Sequence, residues 1–464
     1  MNITLWKEIE KFDLDFPLSE YGFSTRLAYE NEWTEFFTQK AIEEYKKFMY
    51  LAATSNQMVS PSEIVDIVWH QHLIFTQSYN DFCTLLGKKI QHIPSTHNKE
   101  EKEKFLTAKK RTQELYESTF GSQPKEFWDF NTFVEALEIE KSKIDLSTII
   151  GFGLLLLCFL VLFFRYVLYD VFVYIDNPIF MFMYIALGII GYLILNMYNE
   201  ITVGKNRKQI VAKEIIKKLT ASELIFLKTN QLKVVIHGYV NYLLVEKKLK
   251  ITDSKEIIKS NRGKKLNNII ENSIVDSFDA NTSIKYSHLL RILLSKPVFS
   301  KIPKATNNIK VAIHFSKDNV KLFVFNYTFI VFYLAIGITR LCIGLVRNKP
   351  VIYLVLLLVL AFYLSFLFLK KTWNIMVYKG ILEHFRNEVI PKSKTEYSSW
   401  EWNYFLNGIA LLSATFIPLA NTHTSSNYFS GCGTSCGTSS GSSCGSSCGS
   451  SCGGGCGGCG GCGS

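Results

Sequence analysis

The chain has 464 residues, enough for two to three domains, with 48% hydrophobic, 20% charged and 14% aromatic residues and a net charge of +11. Half of the 28 glycines and eight of the eleven cysteines fall in the last 34 residues, and apolar residues gather in a few long blocks. This unevenness excludes a single uniform soluble domain, a collagen-like repeat and a wholly disordered chain. Charge is split as well. Residues 1–145 carry 17 Lys/Arg and 24 Asp/Glu, whereas residues 201–321 carry 24 and 9. An acidic module before a basic one points to different partners for the two parts.

The N-terminal stretch MNITLWKEIEKFDLDF mixes charge with apolar residues and has no long apolar core, so it does not read as a secretory signal. Residues 24–140 read as mostly helical. Trp33, Phe36, Phe37, Ile42, Tyr45, Phe48 and Met49 recur at helical spacing. Ser60-Pro61-Ser62-Glu63 places Ser at an N-cap, Pro at the first helical position and Glu three residues after the cap, which starts a helix that runs to Leu86 before Gly87. A third helix is predicted over Lys99–Phe120, ending at Gly121.

The string Asp66-Ile67-Val68-Trp69-His70-Gln71-His72 contains a His-x-His pair. At about 100° per residue the two rings lie roughly 200° apart on a helix and cannot share one ion. Val65, Val68, His72, Phe75, Tyr79, Phe82, Cys83 and Leu86 share the core face, while His70 lies on the polar side with Asp66, Gln77 and Asp81. Asp66 and His70 are expected to form an ordinary surface pair at i,i+4. A buried His72 needs hydrogen-bond partners. His92, beyond the Gly87 turn, is its expected neighbour, with His97 further off. His70, His72 and His92 are therefore the candidate metal ligands, for zinc or another thiophilic ion, set against a purely structural histidine. A closed zinc site needs four ligands and only two converge here, so the structural role comes first. No Ser-His-Asp or Cys-His arrangement can be placed from spacing, and no catalytic residue is assigned.

Residues 44–53 (EYKKFMYLAA) and 61–95 (PSEIVDIVWHQHLIFTQSYNDFCTLLGKKIQHIPS) resemble the N-terminal module of the glycine-rich domain-containing proteins known from plants. The shared pattern is an EY-x-x-F-L-x-L helix, then P-S-x-x-[IV]-D-x-[VI]-W-H-x-H, Y-x-x-[FD]-C and G-x-x-[IL]-x-H. The matching positions are Asp66, Trp69, His70, His72, Tyr79, Cys83, Gly87 and His92. Gln71 departs from the small Thr or Ser of the plant proteins. The resemblance covers about 90 residues and implies a regulatory or interaction role, with no reaction.

Leu146–Phe164 and Pro178–Met197 are uncharged and long enough to cross about 30 Å of hydrocarbon, with residues 165–177 as the link of a hairpin. Residues 198–321 form the basic middle module. Ser222–Leu227 starts a helix, 229–231 is a turn, Leu232–Lys248 a second helix and 249–252 a strand, the outline of a winged helix. Nucleic acid is a weak partner for it, because Lys far outnumbers Arg and base reading favours Arg. Anionic lipid headgroups suit a Lys-rich loop better. Residues 219–251 are similar to a segment of a group of uncharacterised bacterial membrane proteins, which implies architecture and a bacterial envelope.

Leu322–Thr339 and Pro350–Leu369 make a second uncharged hairpin, followed by a cytoplasmic segment over 370–402. Asn403–Ala420, with Trp400, Trp402 and Tyr404 at its start, is either a short fifth span or a packed segment. Residues 421–464 form a Gly/Ser/Cys-rich tail expected to be disordered, with Cys432, Cys436, Cys444, Cys448, Cys452, Cys456, Cys459 and Cys462.

The expected architecture is mainly α: a helical N-terminal module over 1–140, transmembrane hairpins over 146–197 and 322–369 flanking the α(+β) middle module, and the tail. Lys and Arg near the span ends put both modules in the cytoplasm and the chain in the inner membrane, with the tail exoplasmic only if 403–420 spans. An interaction or scaffolding component of the bacterial envelope with an unknown protein partner is the leading reading. A metalloprotein or metalloenzyme using His70, His72 and His92 is the first alternative, and a membrane-tethered nucleic-acid regulator the second.

Overall fold

The computed structural model describes residues 2–93, 99–260, 268–279 and 282–421. The cysteines of the tail and His97 lie outside them. The described chain is mainly helical, with one three-stranded antiparallel sheet.

The N-terminal module holds α1 (Ile3–Lys11), α2 (Phe23–Asn31), α3 (Glu35–Thr54), α4 (Glu63–Ile74), α5 (Thr76–Leu86), α6 (Lys99–Phe120) and the short α7 (Lys125–Trp128) and α8 (Phe133–Ala136). Its core is aromatic: Phe23, Phe37, Tyr45, Phe48, Phe82 and Tyr116 are buried. Glu44 is also buried, and its carboxylate accepts from Tyr116 Oη (2.8 Å), Trp128 Nε1 (2.7 Å) and Lys47 Nζ (2.8 Å), so it ties α3, α6 and α7 together. The third helix runs Lys99–Phe120, within the predicted bounds.

Two expectations for the second helix need correction. Its N-cap is Ser62, not Ser60: Ser62 Oγ accepts from Val65 N at 3.2 Å and donates to Phe127 O at 2.6 Å. Ser60 instead exchanges backbone hydrogen bonds with the Thr112 hydroxyl. The helix also does not run unbroken to Leu86. It breaks at Phe75 (φ −87°, ψ 64°), whose ring packs edge-on against Phe23. No Gly or Pro signals this break. Tertiary packing sets it, and it lets Ser78 reach back to His72.

The first hairpin is α9 (Leu146–Val167), α10 (Tyr169–Tyr174) and α11 (Asn177–Ala212). The middle module follows with α12 (Glu214–Lys217), α13 (Ala221–Thr229), α14 (Leu232–Val245), β1 (Leu249–Ile251), β2 (Glu256–Lys259), α15 (Ile269–Val275), β3 (Ser283–Lys285), α16 (Tyr286–Ser295) and α17 (Pro297–His314). Strand order is β1-β2-β3, with Ile257 opposite both Ile251 and Ile284. The helix–turn–helix–strand outline is present, with Asn230 at φ +53° in the turn. However, α14 buries Val234 to Asn241 and Leu243, so it is the core of this module rather than a surface helix.

The second hairpin is α18 (Lys317–Val346) and α19 (Ile352–Ile375), and the latter continues through π-helical turns to α20 (Ile390–Lys392). Four helices, Leu146–Val167, Asn177–Ala212, Lys317–Val346 and Ile352–Lys392, are long and apolar enough to cross a membrane. α18 packs on α9, α11 and α19. Asn199 of α11 and Asn326 of α18 bond each other inside the bundle, so neither amide faces hydrocarbon unpaired. Both hairpin loops lie at one end, where Arg340 donates to Ile175 O (2.7 Å) and Asn177 Oδ1 (2.8 Å). At the other end Lys317 N donates to Glu140 O and Ser142 N to Phe315 O, which joins the exits of the two modules.

Residues 403–420 make no continuous helix. They form parts of α21 (Trp400–Asn407), a 3-10 turn (Gly408–Leu411) and α22 (Ile417–Asn421), each far shorter than the roughly 20 residues a crossing needs. The segment lies on α14. Trp400 stacks on Tyr242 with ring centroids 4.6 Å apart. Tyr404 occupies the space that a Cβ on Gly238 would need, and its hydroxyl donates to Val234 O at 3.0 Å. Asn241 accepts from Ser413 N at 2.8 Å, and Phe416 is fully buried.

The two oppositely charged modules dock on each other. Lys296 pairs with Glu20 (2.6 Å), Lys301 with Glu35 (2.5 Å), and Asn308 donates to Glu32 (3.0 Å). Lys304 Nζ sits 3.7 Å from the centroid of the Tyr29 ring. Beneath them the buried Glu223 closes the capping box of α13 with Thr220 and also accepts from the backbone N–H of Glu35 at 3.0 Å, so one carboxylate serves two helix N-termini. Burial pushes the Glu223 carboxyl up. Burial acts the same way on Glu35, but the charge and hydrogen bond of Lys301 outweigh it and hold that carboxyl below its ordinary value. Glu223→Ala leaves the Thr220 and Glu35 N–H groups without their acceptor in a closed interface. It is expected to cost about 2–3 kcal/mol, read as a lower thermal midpoint of the detergent-solubilised chain, with a smaller loss for Glu223→Gln.

Candidate metal centre

Asp66 stands in the first turn of α4 and His70 one turn later, on the same face. His92 arrives from the segment after α5, where Gly87 at φ +67° turns the chain back. That segment is pinned by a relay of hydrogen bonds. Trp69 Nε1 donates to Tyr79 Oη at 3.1 Å, and Tyr79 Oη donates to Ile90 O at 2.5 Å. The Trp69 ring then stacks edge-on against His92 with centroids 4.7 Å apart.

The outcome is a cluster of three groups whose ligand atoms all lie within 4.8 Å of one another. His92 Nε2 is 3.0 Å from Asp66 Oδ1, and His70 Nε2 is 3.3 Å from Asp66 Oδ2. The two imidazoles are 4.3 Å apart at their centroids. Side-chain exposure rises from 16% at His92 through 30% at Asp66 to 58% at His70, so the cluster opens to solvent on the His70 side. Beside it runs a groove of about 570 Å³ lined by Phe48, Met58, Asp66, Trp69, Lys89 and His92. Zinc bonds of about 2.0–2.2 Å in tetrahedral geometry put ligand atoms roughly 3.3 Å apart. The 3.0 and 3.3 Å separations of the two imidazoles from Asp66 lie close to that spacing. Two imidazoles and one carboxylate form a donor set that holds zinc with a position left open.

His72 is not part of the cluster. It lies fully buried on the opposite face of α4, with Nδ1 2.7 Å from Tyr45 Oη and Nε2 3.1 Å from Ser78 Oγ. Burial pushes its pKa down to about 4, so it is a neutral core imidazole with both ring nitrogens engaged. The predicted pairing of His72 with His92 is thus replaced by His70 with His92, because the return segment passes over the polar side of α4. The wheel did place His70 and Asp66 together as an i,i+4 pair. What it missed is that His92 joins that pair. The signal was available, since Asp66, His70 and His92 are all positions of the pattern quoted above.

A family model described as UCP032817-like matches residues 15–114, which contain the whole cluster. Glycine-rich domain-containing protein 1 of Arabidopsis thaliana is 29% identical over 96 residues, covering 19% of this chain and 12% of that protein. Glycine-rich domain-containing protein 2 of the same plant is 28% identical over 158 residues, covering 27% of this chain and 20% of that protein. The N-terminal module is similar to the glycine-rich domain-containing proteins. The chain spans no more than a fifth of the length of these relatives. No solved structure matches.

Tyr79→Phe removes the hydroxyl that joins Trp69 to Ile90. It is expected to destabilise the module by about 1–3 kcal/mol. In hydrogen-exchange mass spectrometry the exchange of residues 88–93 is expected to rise while that of 35–54 stays low.

Proposed function

We propose that the chain is a membrane-anchored interaction component of a bacterial envelope whose N-terminal module carries a divalent-metal site at Asp66, His70 and His92. The observation that carries this reading is the convergence of these three side chains, from two segments 22 residues apart in sequence, at the edge of a groove. The open side of a three-ligand ion can be completed by a carboxylate, imidazole or thiolate of a partner protein. The four apolar helices supply the anchor. Lys141, Lys143, Lys205, Lys213, Lys317, Lys321, Lys370 and Lys371 favour the cytoplasmic side of an inner membrane for the modules. With 403–420 folded on α14, the Cys-rich tail leaves on that same side. Nucleic acid has no place in this reading, because the helix a winged helix would offer to DNA is buried.

The full chain, with its accessible thiols alkylated to silence the tail, is expected to bind one Zn²⁺ per molecule in calorimetry. Asp66→Asn, His70→Ala and His92→Ala should each weaken binding by at least about 10-fold, a loss that even partners of metal ligands produce, while His72→Asn should leave it intact. Equal binding by all four variants would sink the site. A metalloenzyme is the second reading, favoured by the open coordination position, which a reactive water can fill. Metal binding without hydrolysis of activated esters or phosphoesters leaves the interaction reading standing. The sidedness has its own check. A membrane-impermeant maleimide should label the tail thiols only after lysis, and labelling in intact cells would reverse the assignment.

A further inference from the structure

A groove of about 970 Å³ lies away from the metal cluster, where the bundle meets the modules. Its rim is the connection from the N-terminal module to α9 together with the first turns of α18. It carries Lys141, Lys143, Lys317 and Lys321 against a single acid, Glu140. Glu140 pairs with Lys317 at 2.6 Å. Lys141, Lys143 and Lys321 are exposed and make no ion pair among the described residues. The floor is one face of α18, with Val324, Phe325, Thr328 and Phe332 below the lysines. This face lies between the side of α18 that meets α9 through Tyr327 and Ala335 and the side that meets α11 through Asn326. Phe325 and Phe332 remain 45% and 42% exposed.

Charge and length together select the occupant. Three uncommitted cations at one end of an apolar trough call for an anionic head on an apolar tail. From Lys321 to Phe332 the helix rises about 16 Å, which matches one leaflet of a hydrocarbon core about 30 Å thick. The volume lies at the upper end of the roughly 300–1,000 Å³ of small-ligand sites. We propose that this groove binds one anionic phospholipid, its phosphate held by Lys141, Lys143 and Lys321 and an acyl chain laid along α18 to Phe332. The proposal rests on the membrane reading of the four helices and is independent of the metal site.

The test is native mass spectrometry of the full chain in a non-ionic detergent, titrated with phosphatidylglycerol or phosphatidylcholine. One phosphatidylglycerol per chain is expected to bind at least 10-fold more tightly than phosphatidylcholine. The triple variant K141Q/K143Q/K321Q should lose that preference, and K370Q/K371Q, with lysines elsewhere at the same end of the bundle, should keep it. T328W leaves every lysine in place and fills the trough, so it should abolish the adduct while the thermal midpoint stays near that of the parent chain. Equal binding of the two lipids, retention of the adduct by T328W, or equally tight binding of sn-glycerol 3-phosphate would each overturn the proposal. Recovery of the chain in the soluble fraction without detergent would overturn the membrane reading instead.

Discussion

The arrangement of the molecule depends on one buried carboxylate. Glu223 accepts from the start of its own helix and from the start of α3 in the other module. Helix N-termini carry unpaired N–H groups and partial positive charge, so an anion between two of them satisfies both. Around it the acidic residues of the N-terminal module meet Lys296 and Lys301 at the start of α17. Part of the charge split is therefore answered within the chain, through Lys296–Glu20 and Lys301–Glu35.

The same economy of polarity organises α4. Its inner face buries His72 as a neutral ring between Tyr45 and Ser78, while its outer face gathers His70 and Asp66. His70 and His72, two positions apart, thus have different surroundings because a helix turns them to opposite sides. The return segment adds His92 to the outer pair only because Tyr79 holds Ile90 and Trp69 at once. The core side of the helix positions the cluster on its solvent side.

Much of this was legible in the sequence. The apolar blocks located the four long helices, Gly121 marked the end of α6, and the turn at Asn230 was readable from Thr-Asn-Gln. The wheel put His72 inward and His70 outward, as found. What escaped has a common cause, namely long-range contact. The break at Phe75 answers to Phe23, some fifty residues away. The indoles before residue 403 looked like an interfacial belt, but Trp400 lies on Tyr242 of α14 and Trp402 packs against Phe385 and Tyr397. Arg340 is held by Ile175 O and Asn177 at the tip of the first hairpin, a contact that no local pattern announces. Asp66 read as half of a surface ion pair because nothing local says that His92 folds back beside it.

The length of α11 has a mechanical meaning. Its 36 residues extend about 54 Å, against about 30 Å of hydrocarbon. Its C-terminal half buries Val203 and Ile210 in the core that the middle module shares with the N-terminal one. The continuation of α19 enters that core too, through Met376, Val377 and Ile381. Two stiff rods therefore run from the apolar bundle into the folded head without a flexible joint. A change in tilt of either helix would therefore be carried into the docked modules as a lever stroke.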